Sequence, residues 1–299
     1  MSKKPKVGMW SGLTAVTAVL TAGAIVGTTV AFHYTTTVNN YLDADTYKII
    51  KGDSDEDTEY FKSDFTSDEE RESYEAELCA QVEAEGAALL KNDNNALPLA
   101  SGAKVSLFGH GSVDLMYGGT GSGSVDTSKA PNFKQALEDQ GVQVNSTLWD
   151  LYSSDDMMKN YSRITPAAIS DTLEANTQYA VNEAPWSKLS SAESSFADYG
   201  DAAIVVFSRS GGEGADLPSG ENGTNDSWIK GQEGDGNYLA LSAEEKELLQ
   251  NLKTLKDNGT FKKIIVLINS SNAIEMDFLN PEICGEDYGI DSAMWIGDV

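Results

Sequence analysis

Short apolar runs, each about as long as a β-strand, alternate with amphipathic segments over most of this chain. The runs KVSLFG (104–109), AAIVVFS (202–208) and KKIIVLINS (262–270) are apolar almost throughout, and shorter runs at 142–145 and 292–297 resemble them. Strands that are apolar on both faces occur in sheets that helices cover on both sides. The pattern therefore predicts an α/β fold, a three-layer α/β/α sandwich with a mostly parallel sheet.

The segments between these runs have helical patterns. NFKQALEDQG (132–141) and SAEEKELLQNLKTLKDNG (242–259) separate predicted strands, and Ser242 with Glu245 forms the sequence signature of a capping box. We also predict a helix in YEAELCAQVEAEGAALLKN (74–92), where apolar residues recur near helical spacing. The apolar residues of that segment are Leu78, Val82, Leu89 and Leu90. The stretch from 150 to 200 is interpreted as helix and loop over one edge of the sheet.

The N-terminus is free of charged residues from Val7 to Phe32. A helix of that length exceeds the roughly 30 Å hydrocarbon core of a bilayer. Three lysines precede the run, so the positive-inside rule predicts residues 1–6 as a cytoplasmic tail and the rest of the chain outside the cell. A cleaved signal peptide is the alternative, but no clear A-x-A site ends the run. We interpret residues 7–32 as a single transmembrane anchor in the cell membrane.

Residues 33–73 are rich in Asp and Glu, as in GDSDEDTEYFKSDFTSDEERE, which is typical of a solvated stalk. The folded domain is then expected over residues 74–299. The formal net charge of −26 argues against nucleic acid as a partner, because nucleic-acid binding needs a basic surface. Cys79 and Cys284 either form one disulfide outside the cell or remain buried thiols.

Two glycine-rich stretches follow predicted strands, where ligands of parallel α/β sheets usually bind. YGGTGSGSVD (117–126) lacks the G-K-[ST] of a phosphate-binding loop, and GHGSVDL, from Gly109, lacks the third glycine of a dinucleotide fingerprint. No cofactor is therefore expected. In FSRSGGEGADLP (207–218), glycines surround a single carboxylate, Glu213. A simple turn would explain the glycines but not the glutamate.

Catalytic and metal sites that depend on histidine are disfavoured, because His33 and His110 are the only histidines of the chain. A Ser-His-Asp triad and a multi-histidine metal site are both disfavoured, so no metal is expected. Acid–base chemistry by Asp or Glu is the economical option. His110 is expected to be a satisfied or exposed residue, with ligand contact as the alternative. Trp228 is the tryptophan that we favour for an exposed role against a sugar ring.

Five stretches resemble, in order, the second, α/β sandwich domain of glycoside hydrolase family 3. They are AEGAALLKNDNNALPL (84–99), YGGTGSGSV (117–125), DAAIVVFSRSGGEGADL (201–217), LSAEEKELLQNL (241–252) and KKIIVLINSSNAIEM (262–276). The resemblance covers residues 74–299 and implies a β-glucosidase-like enzyme. Such an enzyme hydrolyses terminal sugars of β-linked oligosaccharides or glycosides with retention of configuration.

In that family a (β/α)₈ barrel supplies an aspartate nucleophile, and the sandwich domain supplies a glutamate that acts as general acid and base. The resemblance assigns this glutamate to Glu213. It implies that the neighbouring loops contact the substrate. The candidate substrate-binding residues are Tyr117, Gly118, Gly119, Thr120, Ser122, Arg209, Asp216 and Trp228.

The barrel usually precedes the sandwich domain, but here an apolar run and an acidic stretch precede it, as in permuted relatives. These residues contain no barrel, so we expect either a part of a longer permuted enzyme or an orphan domain. Retaining glycosidases need two carboxyl groups about 5 to 5.5 Å apart. The chain alone is therefore expected to be inactive. The alternative function is a non-catalytic module that binds glycans or scaffolds a partner.

Overall fold

The computed structural model describes residues 7–42, 61–119, 123, 125–165, 179–212 and 238–298. The chain divides into two compact units, one up to Asp64 and one from Phe65 onward. In the first unit, helix α1 spans Val7–His33 and helix α2 spans Thr35–Tyr41. From Trp10 onward α1 is long and apolar enough to cross a membrane, a property that signal sequences share.

The second unit is built on a six-stranded sheet with the order β1-β6-β5-β4-β2-β3. Strands β2 to β6 run parallel, and β1 lies antiparallel to β6 at one edge. This arrangement confirms the predicted α/β fold with a mostly parallel sheet. The strands are β1 (Ala88–Asn92), β2 (Lys104–Phe108), β3 (Gln143–Val144), β4 (Ala202–Arg209), β5 (Ile264–Ser270) and β6 (Ser292–Trp295).

Helices connect the strands of this unit and begin with defined caps. Ser242 accepts a hydrogen bond from the Glu245 amide, and the Glu245 carboxylate accepts one from the Ser242 amide, so the predicted capping box is present. The described part of 150–200 contains helices and short 3₁₀ turns, as expected. The helices are α3 (Asp68–Gly86), α4 (Phe133–Asp139), α5 (Ser146–Tyr152), α6 (Asp155–Tyr161), α7 (Ala243–Asp257) and α8 (Pro281–Cys284).

The central strands bury both faces, because alternate side chains point to opposite sides of a sheet. In β4, Ala203, Val205 and Phe207 join the core that contains the leucines of α7. Ala202 and Ile204 join a second core, against which Phe133 and Leu137 of α4 pack. Helices thus cover the sheet on both faces, which explains why the sequence of β4 is apolar without alternation.

The predicted helix is present over 74–86, but its extension to residue 92 was wrong. Helix α3 begins at Asp68, within the acidic stretch, and ends at Gly86. Ala87 has an extended backbone, and the following residues form β1, in which Ala88 pairs with Trp295. The backbone groups of β1 thus find partners about 200 residues away, in β6, which the local pattern cannot reveal. No residue of α3 is buried, so its apolar side chains do not form part of the core.

The sheet order places a topological switch point between β2 and β4. From β2 the chain passes to β3 on one side of β2, and then returns to β4 on its other side. The connections that follow β2 and β4 therefore run to opposite sides of this point, an arrangement that opens a crevice in many open α/β sheets. Such crevices are the usual ligand sites of open α/β sheets.

The two cysteines do not pair. Cys79 is exposed on α3, and Cys284 is half-buried at the end of α8. A disulfide between them is absent from the structure, and the exposure of Cys79 contradicts the expectation of a buried thiol there.

Candidate active site

The glycine-rich stretch after β2 contacts the stretch that follows β4. A Cβ atom added to Gly119 would lie 3.1 Å from the carbonyl oxygen of Gly211, so the two backbones are in close contact and a side chain would fit only after a small shift. Within the first stretch, Gly118 faces the Gly123 carbonyl, at 2.6 Å from an added Cβ. The fold therefore brings together, at the switch point, two sequence motifs that lie about 90 residues apart.

Close approach also requires glycine at the start of the second stretch. A Cβ atom on Gly211 would lie 2.2 Å from Nδ2 of Asn272, so the Asn272 side chain would have to move to admit it. Gly212 has a φ of +153°, which side chains disfavour. Glu213 follows Gly212 directly in the sequence. The glycines before the candidate catalytic residue thus have a structural reason in addition to any functional one.

A single carboxamide, Asn269 at the end of β5, links the loops around the switch point. Its Oδ1 accepts hydrogen bonds from the Met116 amide at 2.6 Å and from the Ser208 hydroxyl at 3.1 Å. Its Nδ2 donates to the carbonyl of Met116 at 3.0 Å and to that of Gly297 at 2.7 Å. Asn269 is fully buried; three of its four bonds are buried as well, and the bond to Gly297 is partly buried. The segment after β2, the end of β4 and the segment after β6 are therefore fixed relative to one another.

Arg209, at the end of β4, is not available to a substrate, and the prediction that it binds one was wrong. Its side chain is fully buried, and two donors bind the Glu245 carboxylate at 2.8 and 2.7 Å. The other donors bind the carbonyls of Tyr238 at 2.8 Å, Ser208 at 3.0 Å and Ala240 at 2.7 Å. All five guanidinium donors are thus used within the protein.

The Arg209 contacts hold together the two ends of the stretch that contains Glu213. Arg209 lies before residues 213–237, and Tyr238 and Ala240 lie after them. Tyr238 also donates its hydroxyl to the Ser210 carbonyl at 3.0 Å, and burial raises the pKa of Tyr238 to about 12. Burial lowers the pKa of Arg209, because the charged guanidinium is removed from water. The negative charge and the hydrogen bonds of Glu245 act in the opposite direction, and with smaller contributions from other residues they raise the pKa overall.

Tyr117 lies at the base of the glycine-rich stretch. It is half-buried, and its hydroxyl donates to the Pro131 carbonyl at 3.1 Å. Burial, and then the charge of Asp114, raises the pKa of Tyr117. Tyr117, Gly118 and Gly119 all line one cavity. The predicted site residues Thr120, Ser122, Glu213, Asp216 and Trp228 lie outside the described residues.

His110 is a buried residue just after β2. Its Nδ1 lies 2.9 Å from Oε2 of Glu183, which also accepts the His110 backbone amide at 2.8 Å. The other ring nitrogen, Nε2, has no hydrogen-bond partner within the described ranges. No group of three or more His, Cys, Asp or Glu side chains in the described part of the chain is arranged to hold a metal ion.

Three supporting residues gave little sign of their role in the sequence. Glu245 was predicted as part of a capping box, and nothing local indicated its contact with Arg209. Asn269 is a polar residue at the end of an otherwise apolar run, which is the one signal that marks a buried polar contact in advance. Arg163 lies in a stretch without a clear pattern, and in the structure it binds Asp114.

The fold and the paired loops define an α/β sandwich domain whose candidate site lies at the switch point of a mostly parallel sheet. The Glycosyl hydrolase family 3 C-terminal domain matches residues 87–285, and this chain belongs to that family. The resemblance of the five sequence stretches is thereby confirmed. The match includes both glycine-rich stretches and the strands that carry them.

Two curated relatives are β-glucosidases. Beta-glucosidase A of Butyrivibrio fibrisolvens is 31% identical over 216 residues, which are 67% of this chain and 23% of that protein. Beta-glucosidase of Ruminococcus albus is 29% identical over 223 residues, which are 74% of this chain and 20% of that protein. The chain thus spans about a fifth to a quarter of the length of these relatives.

Solved structures agree with the fold. The β-glucosidase of Paenibacillus barengoltzii superposes with a TM-score of 0.54 at 25% identity, over 75% of this chain and 21% of that chain. β-Glucosidase 3B of Thermotoga neapolitana, solved with α-D-glucose, has a TM-score of 0.53 at 23% identity, over 76% of this chain and 27% of that one. At its lower identity, the second similarity concerns the fold alone.

Proposed function

We propose that this chain supplies the acid/base half of the active site of a retaining β-glycosidase that removes terminal glucose units. The observation that carries the proposal is the contact between the two glycine-rich stretches, Gly119 against Gly211, at the switch point of the sheet. Glu213 follows two residues after Gly211 in sequence. Membership of the family and the β-glucosidase relatives support the reaction class.

In this proposal Glu213 works with an aspartate nucleophile from a (β/α)₈ barrel domain. Glu213 first protonates the oxygen of the leaving group while the aspartate attacks the anomeric carbon. It then removes a proton from the water that hydrolyses the glycosyl intermediate. The carboxyl must hold a set distance from the nucleophile, so the ends of its loop need fixed anchors. The buried contacts of Arg209 and Asn269 support such anchoring.

The substrate is proposed to be a short β-linked oligosaccharide or glycoside. Glu213 would meet it at the scissile bond, and the leaving group would extend over the two loops. The residues proposed for that side are Tyr117, Gly118, Gly119, Thr120, Ser122, Asp216 and Trp228. Arg209 is excluded from the set because it is fully buried.

We also propose that α1 anchors the enzyme in the cell membrane. The lysines before the apolar run favour a cytoplasmic N-terminus, so the sandwich domain would lie outside the cell. The part of residues 33–73 that precedes α3 would then separate the domain from the bilayer as an acidic spacer.

A graft tests the catalytic proposal. Residues 65–299 replace the corresponding segment of the B. fibrisolvens enzyme, and hydrolysis of aryl β-glucosides is measured. Glu213→Gln should abolish most activity, and Glu213→Ala should retain activity on good leaving groups and gain more with azide. Glu193→Gln, at an exposed position, is the matched control. If Glu213→Ala hydrolyses substrates with poor leaving groups at normal rates, another residue is the general acid and base, and Glu221 and Glu233 are tested next. The ungrafted chain should show no turnover.

A further inference from the structure

A cavity of about 440 Å³ opens beside the glycine-rich stretch. Its volume falls within the range of roughly 300 to 1,000 Å³ that is typical of small-molecule sites. The cavity is lined by the stretch after β2, by the start of α4 and by Arg163. The lining residues that bear on its chemistry are Asp114, Tyr117, Val125, Phe133 and Arg163.

An ion pair of Arg163 and Asp114 forms the polar part of the cavity. Nη2 of Arg163 donates to Oδ1 of Asp114 at 3.0 Å and to the Leu115 carbonyl at 3.2 Å, and Nη1 donates to the Asp114 carbonyl. The side chains keep 12% and 29% of their surface exposed, respectively. Among the described residues, Oδ2 of Asp114 and Nε of Arg163 have no hydrogen-bond partner. The pair is thus fixed in place and keeps both acceptor and donor capacity.

The chemistry of this pair suits hydroxyl groups. A hydroxyl both donates and accepts, so adjacent hydroxyls can donate to a carboxylate and accept from a guanidinium at once. The pair is neutral overall and does not call for a charged ligand. A chain with a net charge of −26 also disfavours anions. Val125 and Phe133 add apolar surface that fits the C–H face of a sugar ring.

We propose that this cavity binds a pyranose ring, with Arg163 and Asp114 contacting adjacent hydroxyls and Val125 and Phe133 contacting the ring face. The proposal rests on the proposed function in taking the ring to be part of a β-linked glucoside. Burial lowers the pKa of Arg163, and the charge of Asp114 offsets part of that effect. The guanidinium is therefore partly desolvated, where hydrogen bonds to a ligand are stronger than in water.

Ligand titration of the full chain tests the site. The chain is held in a phosphocholine detergent, since sugar-based detergents would compete, and cellobiose or methyl β-glucoside is added. Calorimetry gives the affinity, and the backbone amide signals of Tyr117, Gly118 and Gly119 should shift with saturation. Arg163→Gln and the nearly isosteric Asp114→Asn should each weaken binding by about tenfold or more. Controls Arg71→Gln and Asp257→Asn, which break exposed ion pairs, should bind like the unmodified chain.

The proposal is overturned if no saturable shift occurs in Tyr117 to Gly119, or if both cavity variants bind as tightly as the unmodified chain. Equal binding of sorbitol, an open-chain polyol, or of glucuronate would likewise refute a neutral pyranose site. If Arg163→Gln does not fold, Asp114→Asn decides, because it preserves side-chain shape. The titration needs no turnover, so its failure leaves the test of Glu213 in the grafted enzyme unaffected.

Discussion

Glu245→Gln should destabilise the fold far more than its conservative chemistry suggests. The exchange leaves the Arg209 guanidinium fully buried without a counter-charge, and one of its donors then faces an NH₂ group. The Gln carbonyl oxygen can replace only one of the two carboxylate oxygens, and the Oε2 position that also accepts the Ser242 amide fixes which one. Breaking one partner of a buried ion pair costs about 3 to 5 kcal/mol, and we expect a loss of unfolding free energy in that range.

The matched control is Asp257→Asn. Lys253 and Asp257 lie 2.6 Å apart on α7, a separation close to that of Arg209 and Glu245, but their side chains are 28% and 60% exposed. Exposed pairs contribute less than about 1 kcal/mol, so this variant should unfold at nearly the urea concentration of the unmodified chain. Urea unfolding of the full chain in mild detergent, followed by tryptophan fluorescence, measures both changes. Equal losses for the two variants would refute the argument from burial.

A double variant separates the charge from the hydrogen bonds. In Arg209→Met with Glu245→Leu, no unpaired charge remains, so the loss should be smaller than in Glu245→Gln. Recovery should still be incomplete. The carbonyls of Ser208, Tyr238 and Ala240 lose the donors that Arg209 supplied. Full recovery would mean that these carbonyls find other partners.

Three further predictions concern other parts of the chain. Gly211→Ala should lower the unfolding free energy by about 1 to 3 kcal/mol, because its methyl group meets Asn272, whereas Gly123→Ala, with open space around it, should be neutral in the same urea assay. Hydrogen bonds from the Lys262 side chain and the Lys104 amide lower the pKa of Asp201 in the folded chain. Ionised Asp201 should therefore stabilise the fold by less than about 1 kcal/mol. This stabilisation should be complete above the unfolded aspartate pKa of about 3.9 and should disappear as the pH falls through the lower folded pKa. Unfolding curves of Asp201→Asn and the unmodified chain should therefore converge in acid, and a constant difference would contradict the assignment. In cells that produce the Cys284→Ser chain, a membrane-impermeant maleimide should label the exposed Cys79 without lysis, and labelling only after lysis would reverse the proposed topology.

The sheet could be predicted because its strands carry a local signal. The residues of β4 and β5 are apolar on both faces, and the helix between them has a cap that is visible in sequence. Strand β1 could not be predicted, because its pairing partner β6 lies about 200 residues further along the chain. The two glycine-rich stretches were identified individually, but their contact depends on the order of β2 and β4 in the sheet.

The contacts of the supporting polar residues could not be predicted from the sequence for the same reason. Arg209 carries a charge next to a glycine-rich stretch, a position that suggests ligand binding, and only the three-dimensional position of Glu245 makes it a buried structural residue. Similarly, Arg163 and Asp114 are 49 residues apart, and no local pattern links them. Polar residues therefore need a structure before a role can be assigned, because their partners are set by the topology.

The four bonds of Asn269 also determine how the segments at the switch point open. Met116 lies in an irregular connection, and such segments ordinarily exchange their amide protons through small local fluctuations. Here the Met116 amide binds a buried side chain that is itself attached to the end of β6. Its exposure to water requires separating three chain segments at once, so Met116 should belong to the same cooperative unfolding unit as β5. Its hydrogen exchange should then be nearly as slow as that of the strand.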